Sequence, residues 1–577
     1  IAGAGSGKTT ILTYRVARLI KEQKTKSGNI LCLTFTRNAG AEMKERIINL
    51  IGIDGKNIFC NTFHSFCVSV LKKFGYKLGY NEDFSIYGEK EKIELIKNIF
   101  IDLCIFYKKE DIKKKDIEKT LECIKYNYNS YEHPKISDYI YVANEYKYRL
   151  KGYSAVDLDI LLNETLKLMK DKEVQDYYHN KYSYCFIDEY QDSSDIQVEI
   201  VDAIKPANLF VVGDIDQCIY KWRNANPEIM MNFPNKYPCE VIKLEDNFRS
   251  TYPIVAAANN LIKNNKNRFD KKSIAHKEGE PIEFITSENP SYEAYTISEI
   301  ILDSIIPFEN FAILSRTNSQ LNIIKKQFKT LNIPFKVTSN DDIFDIPLVE
   351  NIFNFISACL IKKDNNLIKK AINFPNKILS SEQIAKLELK CIESNKTLFE
   401  GLCTFKFKDQ EKINIFLDII NMIEKRKQEN IITIFKFTKD ILNINKNLDK
   451  VLEKLQHWTI IQNKLNEPTN TETFLKWLKI KDIQTENEFL KEKNDTGAVN
   501  LMTVHGSKGL EFPIIFIIGM NEGVFPNKRS PIEDERNLFY VAITRAKDKV
   551  YLSSVDYLVY KNNFNRKVRR SRFLNEL

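Results

Sequence analysis

The sequence predicts an α/β protein in which buried strands run into helices, interrupted twice by long helical stretches. Three observations lead there. The opening IAGAGSGKTTILTYR has the spacing of a phosphate-binding loop that enters a helix. Strand-length apolar runs recur at Asn29–Thr34, Tyr184–Asp188, Leu209–Gly213 and Phe512–Met520. Between them, residues from about 76 to 180 are rich in Lys, Tyr, Asn and Glu with helical periodicity, and Ile, Leu, Lys and Asn dominate a second such stretch at about 346–487.

Taken in order, Ala2, Gly3, Ala4, Gly5, Ser6 and Gly7 fill the loop with small residues, so that backbone N–H groups can converge on phosphate oxygens. Lys8 can reach the β/γ-phosphates and the Thr9 hydroxyl can ligate Mg²⁺. Ile11, Leu12, Val16, Leu19 and Ile20 are expected on one helix face, with the helix N-terminus toward the phosphates. The usual first glycine of the loop is Ala2. Ile1 reads as the last residue of a strand, and with no Met ahead of it an upstream segment is expected.

After the Asn29–Thr34 strand, Ala39, Met43, Ile47 and Leu50 have helical spacing, and Phe59–Leu71 reads as a second strand-to-helix turn. His64 beside hydroxyls at that turn has two readings, a contact to a nucleic-acid strand or a satisfied core histidine. The Lys113–Lys115 run reads as a solvated face. The strand at Tyr184 runs into Asp188 and Glu189, a carboxylate pair suited to holding Mg²⁺ and to activating the attacking water. The strand at Leu209 runs into GDIDQCIYKWRNA, where Gln217 is polar, uncharged and placed to sense a γ-phosphate. Trp222 follows, flanked by Lys221 and Arg223. A core tryptophan and an aromatic platform for single-stranded nucleic acid are both open here, the flanking cations favouring the platform.

Composition narrows the classes. At 577 residues the chain holds several domains, and its net charge of +9 fits either a polyanionic partner or a lysine-rich solvated surface. The 11 cysteines include no C-x-x-C pair, which argues against zinc or iron–sulfur sites and for a reducing, cytoplasmic compartment. No apolar run is long enough to span a bilayer, so no membrane partner is expected.

The motifs together resemble a superfamily 1 helicase of the UvrD/PcrA/Rep type. LEDNFRS at Leu244–Ser250 resembles the family's L-x-x-N-Y-R-S element, and FAILSRTN at Phe311–Asn318 its A-V-L-x-R-T-N element. TVHGSKGLEFPIIFIIGMNEGVFP at Thr503–Pro526 and DERNLFYVAITRA at Asp534–Ala546 resemble its last two motifs, and the closing SRFLNEL also fits. The resemblance implies two RecA-like P-loop NTPase cores, each a mostly parallel sheet, with two helical insertion domains and ATP in the cleft between the cores. The first core would take 1–75 and 181–245, the second 246–345 and 488–577, and the insertions 76–180 and 346–487. The second insertion is shorter than is usual in the family.

Carried over by resemblance, Lys8 and Thr9 match the phosphate and Mg²⁺ ligands, Asp188 the Mg²⁺ carboxylate, Glu189 the catalytic base and Gln217 the γ-phosphate sensor. Arg249 and Arg545 match arginines that reach the γ-phosphate from the second core, and Glu511 a carboxylate near the ribose. Phe35, His64, Tyr220 and Trp222 match positions along the single-strand path. The implied activity is ATP-dependent 3′–5′ DNA unwinding and single-strand translocation, in repair, replication or recombination. The implied partners are single-stranded DNA, single/double-strand junctions and repair or replication proteins. The departures fall mostly at the base site. The adenine-reading glutamine belongs upstream of Ile1, Thr10 stands where a stacking arginine is frequent, and Phe248 replaces a stacking tyrosine. Ile215 replaces an acidic residue, Cys218 a serine, and Arg37-Asn38-Ala39-Gly40 departs from Asn-Lys-Ala-Ala. Two other functions stay open at this level: a RecB/AddA-type subunit of a helicase–nuclease complex, and an ATP-gated nucleic-acid-binding ATPase that does not unwind. A catalytically dead scaffold is disfavoured because Lys8, Asp188, Glu189, Arg249 and Arg545 are all present.

Overall fold

A computed structural model describes the chain except for residues 83, 104, 106–110, 127–135, 224, 339–343, 345, 395, 466–467, 481–496 and 560–564. The expected boundaries at 345/346 and 487/488 therefore lie outside the described residues. The chain forms two compact units. One comprises Ile1–Thr62, His179–Asn340 and Thr485–Leu577; the other comprises Phe63–Tyr178 and Asp341–Gln484.

The first unit holds two parallel sheets. In the four-stranded sheet the order is Phe59–Thr62, Ile30–Thr34, Tyr184–Ile187, Asn208–Val211, with every pairing parallel. The Ile30–Thr34 strand is buried throughout, as a strand covered on both faces must be. Ala2 continues this sheet: its N–H donates to Gly213 O (3.0 Å) and it bridges Leu244 in parallel. The six-stranded sheet runs Phe335–Thr338, Val499–Thr503, Phe311–Ser315, Phe512–Ile517, Ala546–Val555, Glu283–Ser287, again entirely parallel. The α/β class and the parallel sheets are thus as the sequence predicts.

Helices cover both sheets. Lys8–Lys21 buries Leu12, Thr13, Val16, Ala17 and Leu19 against the four-stranded sheet. Ile11, expected on that face, is 40% exposed. It sits on the far edge of the helix, and Ala17 and Thr13 complete the buried stripe. The Arg37–Ile51 helix starts on a Thr36 cap, whose side chain accepts from Ala39 N–H, and buries Met43 and Ile47. The Ile532–Ile543 helix packs against Tyr252–Ile262 in a core cluster that also takes in Cys218, Ile219 and Tyr220.

The second unit is helical, from Phe63–Phe74 through Thr471–Ile480, with one parallel pair of three-residue strands among the described residues, Ser85–Tyr87 and Ala155–Asp157. Its interior is aromatic. Trp458 and Trp477 pack on Phe474, with centroids 5.0 and 5.4 Å away, and Phe474 packs on Phe353 at 5.1 Å. No described helix is long and apolar enough to cross a membrane.

Candidate nucleotide and nucleic-acid sites

The loop before the Lys8–Lys21 helix is shaped by two left-handed glycines, Gly5 (φ 69°) and Gly7 (φ 78°). At Gly5 a Cβ would stand 2.8 Å from Arg249 Cβ and 2.9 Å from Asn247 Oδ1, so conformation and space both demand glycine. Ala2 sits in ordinary extended pairing with the sheet, outside the left-handed positions, so its methyl group causes no backbone strain. Ser6 Oγ donates to Gly3 O (2.8 Å) and closes the turn.

Lys8 Nζ is buried with no hydrogen-bond partner among the described residues. An ammonium in that condition is costly unless an anion meets it. Thr9 Oγ1 donates to Asp188 Oδ2 (2.8 Å). Asp188 follows the Tyr184–Ile187 strand, and its carboxyl is raised above the usual range by burial and by the neighbouring Glu189 charge, with Thr9 and Lys8 opposing. A hydroxyl and a buried carboxylate form the hard oxygen donor set that suits Mg²⁺. Glu189 is held in a left-handed conformation (φ 52°, ψ 44°), a strained state for a non-glycine residue at a strand end. Burial opposes its charge, but Lys8, Lys508, a hydrogen bond from Gln191 Nε2 (2.5 Å) and Arg545 outweigh that and hold its carboxyl well below the usual range.

Gln217 is buried on a 3-10 turn beyond the Asn208–Val211 strand. Its Nε2 donates to Asp214 Oδ2 (2.6 Å), and its Oε1 accepts from Arg545 Nη2 (3.4 Å). Arg545 follows the Ile532–Ile543 helix. Burial and the nearby Arg249 charge push its guanidinium down to about 9, against Glu189 and Glu511. Arg249 Nη1 donates to Thr544 O (3.2 Å), and its Nε lies 2.7 Å from Glu511 Oε2. Glu511 also meets Lys547 Nζ at 2.8 Å. Two guanidinium groups are therefore crowded within one buried region, the condition under which an incoming polyanion relieves repulsion. Phe248 is exposed and stacks on His276, with centroids 5.3 Å apart and rings 10° from parallel. Thr10 is also exposed, and its hydroxyl accepts from Arg46 Nη1 (3.2 Å).

Residues 1–238 match the UvrD/REP helicase N-terminal domain, and residues 242–557 match the UvrD-like helicase C-terminal domain. The chain belongs to the UvrD-like helicase family. It is 31% identical to the ATP-dependent DNA helicase Rep of Buchnera aphidicola subsp. Schizaphis graminum over 100% of this chain and 94% of that protein. It is 30% identical to the ATP-dependent DNA helicase PcrA of Staphylococcus epidermidis, over 96% of this chain and 80% of that protein. PcrA of Staphylococcus aureus is 31% identical over the same shares, 96% and 80%.

In this UvrD-like chain the aromatic candidates divide. Phe35 and Tyr220 stack, with centroids 5.0 Å apart and rings 15° from parallel, and Trp222 meets Tyr220 edge-on at 6.4 Å. Trp222 is 65% exposed while Tyr220 is 2% exposed, so Tyr220 is a support beneath the others and not an open platform. Arg223 lies over the Trp222 ring at 4.5 Å and Lys508 Nζ over the Tyr220 ring at 4.9 Å. His64 belongs to the second unit, where it is half-buried on the Phe63–Phe74 helix, its ring pushed down to about 4 by burial against the pull of Asp159.

Sequence reasoning missed several members of these sites. Asn247 Nδ2 donates to Ala4 O (2.8 Å), while its Oδ1 accepts from the backbone of Arg249 and Ser250, tying the loop to the LEDNFRS element. Lys508 pairs with Asp192 and donates to Gln217 O (2.9 Å). His505 meets Trp222 edge-on at 6.3 Å. His505 and Lys508 both lie in the TVHGSKG string, so the motif held the signal although neither residue was singled out.

Proposed function

We propose that this chain couples ATP hydrolysis to unwinding of DNA and to 3′–5′ movement along a single strand. The observation that carries the reading is the buried Lys8 ammonium, without a hydrogen-bond partner among the described residues, in the same unit as the Thr9–Asp188 pair and the Gln217–Arg545 contact. Residues 2–10 would wrap the phosphates, with Lys8 on the β/γ oxygens. Thr9 and Asp188 would hold Mg²⁺, which when bound neutralises charge on the β- and γ-phosphates. Glu189 orients the attacking water and accepts its proton, its low-lying carboxyl keeping it ionised at neutral pH. Arg249 and Arg545 stabilise charge on the transferring phosphoryl group, Gln217 senses it, Glu511 lies toward the ribose and Phe248 stacks the base. Trp222 is assigned to the single strand, with Tyr220 and Phe35 packed behind it.

Glu189→Gln tests the reading. ATP binding should survive, and turnover should fall on the order of 10²-fold or more, together with opening of a 3′-tailed duplex. Turnover at the wild-type rate would remove Glu189 from the role of base. Equal opening of 3′- and 5′-tailed duplexes by the wild-type chain would defeat the polarity and leave the ATPase assignment standing.

A further inference from the structure

Gln217 adjoins a buried ion network whose cations, Arg268 and Lys271, lie 51 and 54 residues further along the chain. Its carboxamide has two ends, and Asp214 fixes which end points where. Gln217 Nε2 donates to Asp214 Oδ2 (2.6 Å), which leaves Oε1 toward Arg545. Asp214 is fully buried, and its second oxygen is met by the Lys271 ammonium. Lys271 also pairs with Asp216 at 3.1 Å, and Arg268 closes the set with its own 3.1 Å pair to Asp216. Asp214 has a second output. Its backbone N–H donates to Gln191 Oε1 (2.9 Å), and Gln191 Nε2 in turn donates to Glu189 Oε2 (2.5 Å). The peptide at Asp214 and the carboxylate of Asp214 thus reach the two ends of the phosphate-facing machinery.

We propose that Lys271 is a positioning residue: by anchoring Asp214 it holds the Gln217 carboxamide with its oxygen toward Arg545. The proposal rests on the reading of Gln217 as the γ-phosphate sensor. Without the ammonium, Asp214 is a buried carboxylate with reduced compensation, and it protonates or swings away. A protonated Asp214 offers the amide an O–H donor as well as a carbonyl acceptor, and a displaced one offers neither, so in both cases the amide is no longer held one way round and the sensor becomes free to flip. The loss should appear in turnover and not in nucleotide affinity, because Lys271 touches neither the loop glycines nor Lys8 in the hydrogen-bond and ion-pair network just described.

The test is a double-variant cycle on the full chain, reading DNA-stimulated ATPase. Lys271→Met should lower kcat about tenfold with KM for ATP changed less than about twofold, and Lys271→Arg should recover most of it. Gln217→Ala should lower kcat at least as much. The Lys271→Met/Gln217→Ala double variant should be no slower than Gln217→Ala alone, since both act through one amide. Losses that multiply in the double variant, or wild-type kcat in Lys271→Met, overturn the proposal. Wild-type kcat in Gln217→Ala alone would instead defeat the sensor reading, and the proposal with it. Asp214→Asn/Lys271→Met removes both charges and so avoids an unpaired buried carboxylate. If it melts like wild type and shares the Lys271→Met defect, the role is positional; if it turns over like wild type, the proposal fails.

Discussion

Two aromatic clusters in this chain use the same residue types and end in opposite conditions. In the helical unit Trp458 and Trp477 are 1% and 2% exposed, ringed by Phe344, Phe353 and Phe474. In the unit with the parallel sheets, Trp222 is 65% exposed with a guanidinium above it and a histidine at its edge. The first cluster is sealed, its tryptophans covered by other rings, with the Lys454 ammonium 5.7 Å from the Phe344 centroid at its edge. The second is half open and carries cations. The difference teaches that a tryptophan's role here is set by what covers its faces. Local sequence around Trp222 left core and platform readings both open, and only its exposure separates them.

The largest expected effect that breaks this comparison is at the sealed cluster. Trp458→Ala removes a fully buried indole from contact with Phe474 and Trp477, and should cost about 3–5 kcal/mol of stability. Chemical denaturation measures it. Single-strand affinity at temperatures where the variant is folded should be unchanged. A drop in that affinity would mean that the sealed cluster is not merely core.

Next comes the open cluster. Trp222→Ala should leave the melting temperature close to wild type and weaken single-strand affinity by about 1–3 kcal/mol, the usual worth of one base stacked on an aromatic ring. Basal ATPase should persist while its stimulation by DNA falls. Intact DNA binding would return Trp222 to a structural role. Gln217→Ala, five positions away, should do the reverse. It should keep DNA affinity without nucleotide and lose the response of that affinity to a non-hydrolysable ATP analogue.

The same contrast shows what the sequence could carry. Strands such as Ile30–Thr34 were legible because an apolar run ends in a polar turn, and the loop at 2–9 because glycine and lysine spacing follows directly from phosphate geometry. Lys271 was not legible: it meets Asp214 from 57 residues away, and no periodicity marks an ion pair made by folding. The three-residue strands Ser85–Tyr87 and Ala155–Asp157 escaped for a related reason, since each is too short for alternation to show and they pair across the intervening helices. Ile11 was assigned to the buried face together with Leu12, Val16, Leu19 and Ile20, yet one residue of a helix rotates about 100° and carries it outward from Leu12. Tyr220 was placed along the single-strand path by resemblance; its burial beneath Phe35 depends on the residue that stacks on it, 185 positions earlier in the chain.

The smallest effect sharpens the comparison by asking which groups give the open cluster its charge. His505 sits against Trp222 and Tyr220, and its ring is pushed down to about 4, first by burial and then by Arg316, Arg223 and Lys508. It is therefore neutral at every pH above about 5, and the cations of the cluster are Arg223 and Lys508. The sign for stability follows from linkage. The folded ring binds a proton less readily than the unfolded one, whose ordinary value is 6.5. The contribution of His505 is complete above pH 6.5 and is lost as pH falls toward 4, because the unfolded chain takes up the proton first. Relative to His505→Gln, the wild-type chain should lose on the order of 1 kcal/mol more between pH 7.5 and 5.5, read by denaturant melts at both pH values. Single-strand affinity supplies the second reading. If the ring stays neutral, the affinity ratio of wild type to His505→Gln should be constant from pH 8 to pH 6. A ratio that climbs as pH drops through 6.5 would show a protonated imidazole gripping phosphate, and the open cluster would then owe part of its charge to His505.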